Sequence, residues 1–76
     1  LLDDEVKQAI ESLPDDFRNA VVMADIEDMS YKEIADRMGC PIGTVMSRLF
    51  RGRKMLREKL REYAREKGIA EKVESA

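Results

Sequence analysis

Gly39 and Pro41, two positions apart between two runs of helical periodicity, constrain this chain more than any other feature. Glycine suits the left-handed backbone that ends a helix without a Cβ penalty. Proline so soon afterwards cannot extend the helix it follows. The run before the break has its own start: Ser30 is a good N-cap, and Glu33 three residues on completes a capping box. Ile34, Ala35 and Met38 then share one face at helical spacing. Ala35 is small enough to let the next helix cross closely. Beyond the proline, Gly43 or Thr44 can cap a second helix. In it Val45, Leu49, Gly52, Leu56, Leu60 and Tyr63 recur at three- and four-residue intervals as the stripe to be buried.

A capped helix, a tight turn and a second, basic helix form the layout of a DNA-binding helix-turn-helix, whose second helix enters the major groove. Rotated away from the buried stripe lie Met46, Ser47, Phe50, Arg51, Lys54 and Arg57. Arg51 is the best base reader, because a guanidinium bonds bidentately to O6 and N7 of guanine. Met46 and Phe50 suit thymine methyls or sugars, and Ser47 can donate or accept. Lys32, Arg48, Arg53 and Lys54 read as phosphate contacts, which position a domain and make its binding salt-dependent. The first-turn N–H groups of Gly43 and Thr44 suit a phosphate too.

Net charge conceals this pattern. The whole chain is formally −2, yet residues 44–67 carry +6, residues 1–43 carry −7 and the remaining tail −1. A basic helix on an acidic scaffold is the asymmetry expected when one element faces phosphate. From Arg57 to Lys67 the bases alternate with Glu58, Glu62 and Glu66, which suits a solvated face of i,i+4 pairs. From Arg48 to Lys54 no acid intervenes, and DNA contact is the better reading.

The remainder supports that pair. At 76 residues the chain is one small domain near the lower size limit for a self-sufficient core. Asp3 or Asp4 can cap a first helix burying Val6, Ala9, Ile10 and Leu13. Pro14 breaks it and opens a second, with Asp15 and Asp16 at its positive end and Phe17, Ala20, Val21, Met23 and Ala24 inward. No segment alternates with the period of a strand. The fold class is therefore all-α: a small four-helix domain with a C-terminal, winged-helix-like helix-turn-helix, occupying residues 1–67. Its helices fall at about 3–13, 15–28, 30–38 and 43–66, and a frayed tail at 68–76.

With no histidine and one cysteine, the chain by itself assembles neither a zinc site nor a Cys–His nucleophile. Its acids sit at helix starts and outer faces, and it has no glycine-rich phosphate loop. An enzyme is not expected, nor a catalytic residue, cofactor, metal or small-molecule substrate. The absence of a long apolar run or signal peptide points to a cytoplasmic protein without a membrane partner. Cys40 has two readings: a small apolar filler of the interhelix turn, or a redox-sensitive thiol beside a basic helix.

Leu13-Pro14, Phe17-Arg18, Tyr31-Lys32-Glu33-Ile34-Ala35, and the continuous run from Pro41 through Gly43-Thr44-Val45-Met46-Ser47-Arg48 to Arg53 resemble region 4 of an extracytoplasmic-function (ECF) bacterial sigma factor. The similarity runs from about Leu2 to Leu60. It implies a four-helix domain that reads the −35 promoter element for transcription initiation at stress-response promoters, with a separate region 2 handling the −10 element. It also implies docking on the β-flap of RNA polymerase core and masking by an anti-sigma factor. By position, the family's DNA-contacting places fall on Met46, Ser47, Phe50, Arg51 and Arg53, with Tyr31, Lys32 and Thr44 near the backbone. Met46 departs from the basic or polar residue of many relatives, and Cys40 is not a family requirement. The Met46–Ser47 pair and the ending from Tyr63 to Gly68 are similar to the subgroup answering thiol-oxidative stress through a zinc-bearing anti-sigma factor. The start at Leu1 and the lack of a region 2 suggest a C-terminal piece of a longer protein.

Two rivals have different signatures. The helix-turn-helix of a LuxR-type response regulator shares the helix pair but dimerises on palindromic sites. A helical protein-interaction module would use apolar residues such as Phe17, Val22, Ile26, Met29 and Met55 and leave the basic helix idle.

Overall fold

The computed structural model describes residues 3–66. Helix α1 spans Asp4–Glu11, α2 Asp15–Val21, α3 Tyr31–Met38 and α4 Ile42–Glu66; α2 continues directly into a π-helical turn, Val22–Ile26. No strand occurs among the described residues, so the four-helix, all-α expectation holds. The tail expected at 68–76 lies outside them.

Three helix ends differ from the periodicity, each for a local reason. α1 stops at Glu11 rather than Leu13. The Ser12 hydroxyl donates to the Ala9 carbonyl (2.6 Å), and the Leu13 N–H closes a tighter bond to Ile10 O (3.1 Å). That turn delivers Leu13 to the core. The second helix gives out at Ile26 rather than Asp28. There the Glu27 N–H reaches back five residues to Val22 O (2.9 Å), and the Met29 N–H six residues to Met23 O (2.9 Å). Asp28 takes the left-handed conformation (φ 58°) that the six-residue closure requires. A constant 3.6-residue repeat has no way to announce a wider turn. At the start of α4, the Thr44 and Val45 N–H groups both donate to Pro41 O (3.0 and 3.3 Å). Pro41 therefore flanks the helix, and Gly43 and Thr44 lie inside its first turn rather than capping it.

Two starts and one stop match the sequence closely. Asp3 Oδ1 accepts from the Val6 N–H (3.0 Å) at α1. At α3 the Glu33 N–H donates to Ser30 Oγ (3.1 Å) and the Ser30 N–H to Glu33 Oε1 (3.0 Å), a complete capping box. Gly39 ends α3 in the left-handed conformation (φ 66°, ψ 40°), with the Cys40 N–H donating to Ala35 O (3.0 Å).

The core joins Leu13, Ala20 and Val21 to Ile34 and Ala35 of α3 and Val45 and Leu49 of α4. Ala9 and Ile10 of α1 are buried as well, and no polar or charged side chain is buried among the described residues. α4 is the spine. At Gly52 α2 packs closely against it: a Cβ there would stand 2.9 Å from Val21 Cγ2 and 3.2 Å from the Phe17 carbonyl oxygen. Farther along, α1 lies beside α4, and the Tyr63 hydroxyl donates to Gln8 Oε1 (3.4 Å). The result exposes the opposite side of α4 along its first turns.

Candidate nucleic-acid interface

Because Val45 and Leu49 are held in the core, their helical repeat turns Met46, Ser47, Phe50 and Arg51 outward. These four side chains line one shallow, open concavity. All four base-reading candidates are thus brought together. Phe50 is 70% exposed and Met46 54%. Side by side on one rigid helix face, the two form a contiguous exposed apolar patch of the kind that contact surfaces use. Ile42, 45% exposed, extends the apolar row one turn toward the start of α4. The sequence reading missed it, although its spacing of four from Met46 was a usable signal.

The basic residues divide into two sets. Arg51 and Lys54 are exposed, as are Tyr31 and Lys32 at the first turn of α3. Arg48 is turned inward instead: its side chain is 25% exposed, with Nη2 3.6 Å from Asp16 Oδ2. Its Nη1 lies 3.7 Å from Cys40 Sγ and 4.0 Å from Met38 Sδ. Arg48, expected as a phosphate contact, thus lies with its guanidinium beside the sulfur atoms of the interhelix turn. Cys40 is half-buried beneath it and packs against the core, as a filler of that turn would.

Arg53 is engaged more firmly. Its Nε donates to Asp25 Oδ2 (3.1 Å) and its Nη2 to Asp25 Oδ1 (2.7 Å), a two-pronged bond across 28 positions of chain. This hydrogen bonding, with a second contribution from the Tyr31 side chain, holds the guanidinium still further into its charged range. Neither acid partner was found from sequence. Asp16 and Asp25 lie on another helix, and nothing local to them signals a distant arginine.

At the turn, the Thr44 N–H is already taken by Pro41 O, whereas the Gly43 N–H keeps no partner among the described residues. Among the described residues nothing lies within 4 Å of where a Gly43 Cβ would stand. Packing does not demand glycine there, yet glycine in a helix costs about 1 kcal/mol relative to alanine. An open, Cβ-free first turn with an unused N–H is suited to close approach by an anion.

Among the described residues no group of acids, cysteine or histidine could hold a metal ion, and no helix is long and apolar enough to cross a membrane. What the fold presents is a helix-turn-helix domain whose second helix carries an outward row of apolar and cationic side chains. The chain matches the family described as Sigma-70, region 4, over residues 3–56, and belongs to it. It is 47% identical over 62 residues to the ECF RNA polymerase sigma factor SigE of Mycolicibacterium smegmatis, covering 82% of this chain and 24% of that protein. With the ECF RNA polymerase sigma-E factor of Escherichia coli K12 the identity is 42% over 69 residues, 86% of this chain and 36% of the relative. A solved structure of the sigma factor RpoE in complex with the anti-sigma factor NepR, from Bartonella quintana, superposes with a TM-score of 0.75. Its identity is 36%, over 80% of this chain and 38% of that one. The chain thus spans about a quarter to somewhat over a third of the length of these relatives.

Proposed function

We propose that this chain is the promoter-recognition domain of an ECF-type sigma factor, reading the −35 element during transcription initiation and performing no catalysis. The observation that carries the reading is the coherent exposure of Met46, Ser47, Phe50 and Arg51 on the second helix of the turn pair. Arg51 bonds guanine, Phe50 and Met46 meet thymine methyls or sugars, and Ser47 fixes register. Lys32, Lys54, Tyr31, Arg53 and the first turn at Gly43 and Thr44 meet phosphates and set the affinity. Arg48 serves the turn before it serves DNA.

In the longer protein this domain docks on the β-flap of RNA polymerase and directs it to stress-response promoters, in the cytoplasm. An anti-sigma factor masks it, by analogy with the RpoE–NepR complex. Membership of the sigma family removes the support for a LuxR-type dimer. A docking role on polymerase accompanies DNA reading rather than competing with it.

Fluorescence anisotropy against a duplex bearing a GGAA-type −35 element and a scrambled duplex, at two salt concentrations, tests this. A preference for the element with a steep salt slope is expected. Equal, weak binding to both duplexes would overturn promoter reading.

A further inference from the structure

The Asp25–Arg53 pair places an acid beside a helix whose proposed partner is a polyanion, and simple electrostatics gives no reason for it. The pair is side-on and bidentate, at 2.7 and 3.1 Å, with the two side chains 41% and 38% exposed. Exposed ion pairs usually contribute little to stability and a bidentate one somewhat more, so any part this pair plays in tying the π-helical turn to α4 is read separately, by melting. The bond does fix a long, otherwise mobile side chain. Asp25 occupies one edge of the guanidinium, and the nearby Tyr31 side chain also favours its charged form. Arginine has five N–H donors, so part of the fork stays free. Three elements converge there: the π-helical turn through Asp25, the start of α3 through Tyr31, and α4 through Arg53. Exposed Lys32 adjoins Tyr31 in sequence, and exposed Lys54 adjoins Arg53.

We propose that Asp25 is a positioning residue, orienting Arg53 so that its free edge donates to a DNA phosphate. The inference rests on the promoter-reading function. Asp25 acts by removing conformational freedom before binding, so that the entropy of ordering Arg53 is not lost at the moment of contact. The π-helical turn puts the carboxylate within reach. This reading and bare electrostatics differ in sign. If Asp25 were only a nearby negative charge, its loss would tighten DNA binding and steepen the salt slope. If it positions Arg53, its loss weakens binding although the domain becomes more positive.

The test is anisotropy titration of the 76-residue chain on the −35-type duplex across a salt series, with melting followed by circular dichroism. The proteins are wild type, Asp25→Ala, Asp25→Glu, Arg53→Ala and the Asp25→Ala/Arg53→Ala double variant. Asp25→Ala is expected to weaken binding about three- to fivefold and to lower the salt slope by about one phosphate equivalent. Asp25→Glu restores most of the affinity, and Asp25→Ala has no weakening effect once Arg53 is already alanine. Should Asp25→Ala melt early, Asp25→Asn, which keeps the shape without the charge, is compared in the same two backgrounds. Equal or tighter binding by the Asp25 variants would overturn positioning and leave promoter reading intact. So would an equal loss with and without Arg53. Wild-type protein lacking any salt-sensitive duplex binding would overturn both.

Discussion

Arg51 and Lys54 lie three positions apart on the exposed face of α4, yet they are suited to different tasks. A planar fork recognises a base edge, whereas a flexible ammonium is a point charge for phosphate. Arg51→Ala is accordingly expected to cost about 1–3 kcal/mol on the cognate duplex and to relax specificity at one base position. Lys54→Ala should weaken every sequence alike and reduce the salt slope by about 1. Titrations against a set of single-base variants separate the two outcomes, and a uniform loss for Arg51→Ala would remove it from base reading. Glu33 makes a different kind of prediction. Hydrogen bonds from the Ser30 backbone and then the Ser30 side chain hold its carboxyl below the ordinary glutamate range. A lowered folded value means that stabilisation is fully present above the unfolded value and is lost as pH falls through the folded one. Wild type should therefore exceed Glu33→Gln in melting temperature at neutral pH and converge with it in acid. A gap that persisted to low pH would show that the capping box draws nothing from the charge. The capping box at Glu33 and the outward position of Arg51 were legible in the sequence, because both are local patterns. The acid partners of Arg48 and Arg53 were not, since they are distant in the chain.

At the level of elements, two glycines of α4 show how one residue type answers two demands. Gly52 is fixed by packing: Val21 and the Phe17 carbonyl occupy the space a Cβ needs. Gly52→Ala should lower stability by about 1–3 kcal/mol through overpacking of the α2–α4 contact, read by urea denaturation. Gly43 has no such neighbour. Gly43→Ala should instead raise helix stability by about 0.5–1 kcal/mol while weakening duplex binding. Opposite signs in melting and in anisotropy are the signature; unchanged DNA affinity would mean that the first turn of α4 is not approached closely. The sequence placed Gly52 in the buried stripe correctly, because the stripe is a matter of spacing. It misjudged the helix start at Gly43 and Thr44, because the Pro41 carbonyl accepts the Thr44 and Val45 N–H groups and starts the helix ahead of both. The π-helical turn escaped for a related reason. Its extra residue changes the register of a helix without changing the residue types that form it.

The domain rests on a small apolar core, with no buried polar or charged side chain among the described residues. Leu49, 1% exposed, joins that core from the same helix that carries the outer face. Leu49→Ala should cost about 2–5 kcal/mol, a large share of the stability available to a domain of this size. Calorimetry should show the unfolding transition lowered or lost, with DNA binding lost in parallel; intact binding would mean that the outer face does not depend on the core. What the sequence by itself determined was whatever is written in neighbouring residues: the all-α class, the break at Gly39 and Pro41, the buried and outward faces of the last helix, and the family. Periodicity, capping and backbone preference act over a few positions, so one chain suffices to read them. Only the tertiary structure decided which cations stay free. It drew Arg48 over Cys40 and toward Asp16, clasped Arg53 to Asp25, and left Arg51, Lys54 and the bare Phe50 ring to face outward. Those outcomes depend on the distance between side chains on different helices, and that distance is set by packing.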